Sequence, residues 1–130
     1  MNQKAIHFLR ATPVLKVADY PKARNYYVDK LGFRVAEEGG DPARFGIIER
    51  GQCILFLDSW HGSREQSGQG WDAYIHVSNL QELFKEFESA GATITRPITK
   101  TVYNMLEFEI TDPDGNRLCF GEDTDPTTRS

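Results

Sequence analysis

Four side chains in the second half of the chain have the types and spacing to share a site: Asp72, His76, Glu107 and Glu109. Asp72 and His76 fall on one face of a strand-like run at residues 72–77, because strand side chains alternate with period two. Glu107 and Glu109 share a face of residues 106–110, with Phe108 and Ile110 on the other. An imidazole converging with carboxylates such as Asp72 and Glu109 could hold a divalent cation. The same groups could equally be hydrogen-bonded polar residues lining a cleft, the commoner fate of a lone strand histidine. The other two histidines, His7 and His61, lie before the first strand and in a linker. Cys119 could be a nucleophile, but no histidine stands beside it by local spacing, which favours an inert buried thiol. Lys16 could reach toward an anionic ligand, although exposed strand lysines are more often solvated.

The elements that must position these residues form an internal repeat. Residues 12–17 and 72–77 read as strands, each followed by a capping residue, Asp19 or Asn79, and an amphipathic helix. In the first helix Ala23, Tyr26, Tyr27 and Leu31 share a face, with Pro21 in the opening turn. In the second, Leu80, Leu83, Phe84 and Phe87 do so, and Asn79 with Glu82 has capping-box spacing. Gly32 and Gly91 are placed to end the helices. Strands follow at 33–36 and 92–95, and each half closes with a hairpin. The first hairpin joins 45–48 to 53–57. The second joins 106–110 to 117–121 through Asp112-Pro113-Asp114-Gly115-Asn116, where proline pre-sets φ, Asp and Asn cap local backbone groups, and glycine takes positive φ. The organisation is βαβββ written twice: a first repeat at about 8–58, a polar Gly/Ser-rich linker at 59–70 bracketed by Trp60 and Trp71, and a second repeat at about 71–122. The fold class expected is α+β, one domain in which two such units stabilise each other. Residues 122–130 read as a frayed polar tail.

Composition narrows the function classes. The chain has 130 residues, 39% hydrophobic and 26% charged, with a formal charge of −4, which does not suggest a nucleic-acid partner. Its two cysteines, Cys53 and Cys119, both sit in apolar strand-like runs and read as reduced core thiols. The first twenty residues lack an apolar leader-like stretch and no segment approaches about 18 apolar residues, so a cytoplasmic protein without a membrane partner is the expectation.

Residues 13–19 (Pro-Val-Leu-Lys-Val-Ala-Asp), residues 26–33 (Tyr-Tyr-Val-Asp-Lys-Leu-Gly-Phe) and the Asp112–Asn116 turn, in this order within two βαβββ units, resemble the vicinal oxygen chelate superfamily. That superfamily includes glyoxalase I, extradiol dioxygenases and the fosfomycin and bleomycin resistance proteins. The resemblance spans roughly residues 10–122 and implies a curved mixed sheet with helices on its outer face. Metal-dependent members carry ligands at four strand positions, which by strand matching fall here at Thr12, Leu55, Asp72 and Cys119. Threonine is a poor ligand and leucine none, so two candidates remain where a divalent metal needs at least three. The resemblance is therefore strongest to the metal-free bleomycin resistance type, which sequesters its ligand in clefts of a homodimer without chemistry and confers antibiotic resistance. It implies ligand-binding residues Phe45, Trp60, Trp71, Asp72, Tyr74, His76, Tyr103, Glu107 and Glu109, with no catalytic residue, metal or cofactor. An acidic, aromatic cleft would suit a large cationic ligand. Where members of that branch often have a tryptophan four residues before the Phe108 equivalent, this chain has Asn104 beside Tyr103. An atypical metal site supporting lyase or dioxygenase-like oxidoreductase chemistry is the alternative.

Overall fold

A computed structural model describes residues 4–62 and 70–125. The first module runs β1 (Val14–Lys16), α1 (Tyr20–Asp29), β2 (Arg34–Gly40), β3 (Ala43–Arg50) and β4 (Cys53–Asp58). The second runs β5 (Ala73–His76), α2 (Leu80–Ala90), β6 (Ile94–Lys100), β7 (Met105–Thr111) and β8 (Arg117–Asp123). The expected βαβββ repeat is therefore present, and the class is α+β. Its strands form two four-stranded mixed sheets of matching order, β1-β4-β3-β2 and β5-β8-β7-β6. In each sheet the first strand lies parallel to the last, and the remaining pairs are antiparallel.

Alternation decides which sheet face is covered. Leu15, Val17, Ile48, Leu55 and Leu57 point to the side of α1, and Phe108, Ile110, Leu118 and Phe120 to the side of α2. Phe84 and Phe87 of α2 meet the Phe108 ring edge-on at 5.3 and 5.9 Å. One buried cluster includes residues of both modules, among them Tyr27, Leu31, Phe87 and Phe120. Each sheet is covered on this face by the helix of its own module, and the shared cluster joins the two modules.

The helix ends differ from one another. Asp19 caps α1, accepting from the Lys22 amide at 3.2 Å. The predicted capping box at Asn79 and Glu82 does not form. Asn79 takes the left-handed conformation (φ 56°) and makes no side-chain cap, and the Glu122 carboxylate accepts from the Asn79 and Leu80 amides at 2.9 and 3.1 Å. Residues 122 and 123 are thus part of β8 rather than the start of a tail. A carboxylate on a neighbouring strand satisfies orphan helix amides as well as a local cap does, and it also favours the positive end of the helix. Glu122→Ala is expected to lower stability by about 1 kcal/mol, as cap removals do. Urea unfolding monitored by circular dichroism measures this, and an unchanged midpoint would refute the cap.

The second turn performs a task beyond closing a hairpin. Asp112 accepts from the Asp114 and Asn116 amides at 2.9 and 2.8 Å, which folds the turn on itself. The turn then reaches across to the first module. The Tyr27 hydroxyl donates to Asp112 at 2.7 Å, Asn116 Nδ2 donates to the Lys16 carbonyl at 2.9 Å, and the Ala18 amide donates to Asp114 at 2.9 Å. The clamp is buried at Tyr27, Asp112 and Asn116. Burial pushes the Asp112 carboxyl up, against the pull of the Tyr27 and Asn116 donors.

Candidate functional site

The helices cover one face of each sheet, and the chemistry-bearing residues collect on the other. On the second sheet, the face of β7 away from α2 presents Glu107 and Glu109, which are 1% and 5% exposed. Carboxylates this buried require partners, and each has several. Glu107 accepts from the hydroxyls of Tyr74 (2.8 Å) and Tyr103 (2.7 Å) and from Arg96 (2.8 Å). Glu109 accepts from the Trp71 indole (2.9 Å), Arg96 (2.8 Å) and Arg117 (2.9 Å). Burial pushes the Glu107 carboxyl up, but Tyr103, Arg96 and Tyr74 together hold it below the usual range. Glu109 is held low in the same way by Trp71, Arg117 and Arg96.

Two features complete this floor. Cys119, fully buried between the carboxylates and Arg96, has its thiol pushed up to about 12 by burial and by Glu107. That makes it inert at neutral pH, as expected of a core thiol. Gly121 lies beneath the Tyr74 hydroxyl with no room for a Cβ, so only glycine lets Tyr74 swing onto Glu107. Trp71, Tyr74 and His76 form a run of ring contacts at 5.2 and 5.0 Å. Trp71 and Tyr103 are about half exposed beside the buried floor.

On the first sheet, Trp60 stacks on Phe45 at 5.7 Å, nearly parallel, and its ring rests against Gly39 and Gly40. Phe56 meets Phe45 edge-on at 5.2 Å. Asp58, 2% exposed, accepts from Lys16 at 3.3 Å and pairs with His61 at 2.7 Å. Burial raises the Asp58 carboxyl, but His61, the Trp60 amide and Lys16 bring it below its ordinary value.

The structure places the nine predicted ligand-binding residues in two groups, one on each sheet. Phe45 and Trp60 belong to the first sheet, and Trp71, Tyr74, His76, Tyr103, Glu107 and Glu109 to the second. Asp72 precedes β5, and its carboxylate accepts from the Arg117 amide at 2.8 Å, where it ties β5 to β8. The expectation of an open acidic face is corrected: Arg96 and Arg117 balance Glu107 and Glu109, so the second face is polar and charge-compensated. Lys16 is likewise an ion-pair partner rather than a solvated lysine. Arg96 had no pattern in the sequence, since its role depends on β6 pairing with β7 across Arg96↔Glu109. A cation opposite two strand carboxylates was the one signal that could have found it.

Strand register also corrects one of the four metal-equivalent positions. Val14 pairs with Phe56 and Tyr74 with Cys119, and Val14 and Tyr74 occupy the same place in the repeat. The counterpart of Cys119 is therefore Phe56, not Leu55, which is buried on the helix side. A slip of one residue moves a side chain to the opposite face. With Thr12, Phe56, Asp72 and Cys119 at these positions, the donors do not fit a divalent ion. Among the described residues, no three His, Cys, Asp or Glu side chains come together to hold a metal ion. His76, Asp72 and Glu109 have separate partners: the Tyr74 ring, the Arg117 amide, and the Trp71–Arg96–Arg117 set.

Comparison with known proteins agrees with this architecture. A bleomycin-binding protein from the bleomycin-producing Streptomyces verticillus, solved with copper(II)-bleomycin, is 26% identical, covering 89% of this chain and 97% of its own, with a TM-score of 0.68. The bleomycin resistance determinant encoded on the transposon Tn5 is 19% identical over 89% of this chain and 98% of its own, with a TM-score of 0.75. TioX from Micromonospora sp. ML1 is 21% identical over 87% and 98%, with a TM-score of 0.70. A comparison with curated protein sequences finds no significant match. The family model for the Glyoxalase/Bleomycin resistance protein/Dioxygenase superfamily matches residues 6–120. With the paired βαβββ modules and the interlocking Asp112–Asn116 turn, that match means that the chain belongs to the Glyoxalase/Bleomycin resistance protein/Dioxygenase superfamily.

Proposed function

We propose that this protein captures a small molecule without converting it, in a cleft between the first sheet of one protomer and the second sheet of its partner. The observation that carries this reading is the open face of the second sheet. Its polar floor has its carboxylates already hydrogen-bonded, and half-exposed Trp71 and Tyr103 stand beside it. A floor whose acids are held by guanidinium, indole and phenol donors is suited to binding rather than to proton transfer. Large aromatic side chains supply most of the affinity in such clefts. On the first sheet, the stacked Phe45–Trp60 pair would form the opposing wall. Two exposed apolar regions favour self-association: Ile6, Phe8 and Leu9 are 87–99% exposed, and Val102 stands beside Tyr103 fully exposed.

The Streptomyces verticillus relative was solved with copper(II)-bleomycin, which makes a bleomycin-class antibiotic the first ligand to test. Because Glu107 and Glu109 are neutralised, aromatic burial rather than acidity would provide the affinity. No helix among the described residues is long and apolar enough to cross a membrane, and the proposed site of action is the cytoplasm. Titration calorimetry with metal-free and copper(II)-loaded bleomycin tests the reading. The expected result is saturation at a fixed stoichiometry with the ligand recovered unchanged, and a dimer on gel filtration. Trp71→Ala should weaken binding by about tenfold or more, as removal of a packed aromatic anchor does. Absence of heat at about 100 μM ligand would remove the bleomycin class, and a modified ligand would remove the non-catalytic reading.

A further inference from the structure

The repeat extends to the way each closing hairpin meets the other module, and there the two halves differ. On one side the Asp112–Asn116 turn is locked onto α1 and the end of β1 through Tyr27, Asp112 and Asn116. On the other side the β3–β4 turn faces α2 and the end of β5. Phe87 occupies the helix position of Tyr27 but has no hydroxyl, since α1 and α2 begin at equivalent residues, Tyr20 and Leu80. The register that matches Phe56 to Cys119 likewise puts Cys53 in the place of Asn116. The hydrogen-bonding trio that closes the first junction is therefore missing from the second. The junction is held by a latch: Arg50 donates to both Glu86 oxygens at 2.6 and 3.0 Å and to the Leu31 carbonyl at 2.9 Å. Beside the latch lies a crevice of about 970 Å³.

We infer that this crevice is a binding site for an uncharged, largely apolar small molecule, separate from the open face of the second sheet. Pro13, Ile54, Val77 and Leu83, each half-buried, contribute its accessible apolar lining, above the buried core residues Phe33 and Phe87. Charges at its rim are internally compensated, Arg50 by Glu86 and Lys85 by Glu82. The α2 N-terminus at its edge would ordinarily attract an anion, but Glu122 already occupies those amides. A charged ligand would therefore find no uncompensated partner, whereas an apolar one gains by leaving water. Gln52, Ser78 and Ser89 place neutral amide and hydroxyl groups at the lining, suited to one hydrogen-bonding group on the ligand. The volume lies at the upper end of the range of about 300–1,000 Å³ typical of small-molecule pockets. Tyr74 and His76 reach its edge, but Trp71, Tyr103, Glu107 and Glu109 do not line it.

The test is fluorescence titration of the full chain with Prodan, an uncharged naphthalene probe. Saturable binding of one probe per chain with a blue shift is expected, changing less than about twofold between low and high salt. Ser89→Trp, at an exposed position of α2, and Cys53→Trp, filling the crevice from β4, should each weaken it by about tenfold or more. Trp71→Ala, on the open face, should leave it within about twofold. If Cys53→Trp fails to fold, Ser89→Trp carries the test alone. The inference is overturned by absence of saturable binding, by binding that Ser89→Trp leaves unchanged, or by binding that Trp71→Ala abolishes. None of these outcomes bears on the bleomycin titration, which reads the open face.

Discussion

Replacing Asp112 by alanine is expected to lower the unfolding free energy by about 3–5 kcal/mol, the largest single-residue effect foreseen outside the apolar core. The side chain accepts from the Tyr27 hydroxyl, from Asn116 Nδ2 and from two turn amides. Its removal leaves a phenol with 0% exposure without its acceptor and loosens the turn that ties the modules together. An unsatisfied buried donor forfeits about 1–3 kcal/mol, and the turn amides add to this. Tyr27→Phe removes one bond without emptying the turn and should destabilise by about 1–2 kcal/mol. Chemical unfolding of both variants measures this. An Asp112→Ala effect no larger than that of Tyr27→Phe would show that the turn closes a hairpin and does not clamp the modules.

The second large effect is expected at Arg96. This side chain bridges Glu107 and Glu109, and Arg96→Ala leaves two buried carboxylates with fewer donors. Removing one partner of a buried pair costs about 3–5 kcal/mol. Here Tyr74, Tyr103, Trp71 and Arg117 remain, and Arg96 itself is partly exposed, so about 2–4 kcal/mol is expected at pH 7. The pH dependence gives a sharper signature. In the native protein both carboxyls sit below their ordinary range. Their stabilising contribution is thus fully present above the unfolded glutamate pKa of about 4.3 and lost as pH falls through the folded values. Without Arg96, burial dominates and the folded carboxyls move up. The difference between native protein and variant should therefore be greatest near neutrality and shrink below about pH 4. A difference that stays constant from pH 7 to pH 3 would show that Arg96 acts by packing rather than charge.

Much of the architecture was legible because it is periodic. Alternation located the strands, helical spacing located α1 and α2, and two similar strings of elements exposed the repeat. The turn was read correctly as a hairpin from Pro113, Gly115 and Asn116, while its grip on Tyr27, Lys16 and Ala18 was not visible. Those contacts join residues roughly a hundred positions apart, and no local pattern encodes them. The cap of α2 failed for a related reason: Asn79–Glu82 satisfied a local rule, but Glu122 came from a distant strand and took the amides first.

The candidate site shows the same division. By itself the sequence determined that Glu107 and Glu109 share a strand face, that Phe108 and Ile110 oppose them, and that Asp72 and His76 share another. These statements need only the period of a strand. Tertiary structure alone decided that Arg96 and Arg117 neutralise those carboxylates, that Phe56 rather than Leu55 matches Cys119, and that the aromatic residues divide between two sheets. Each of these depends on strand order and register, and a one-residue shift exchanges the two faces of a sheet. Side-chain type is written in the chain, whereas charge compensation belongs to pairs that only the paired strands create.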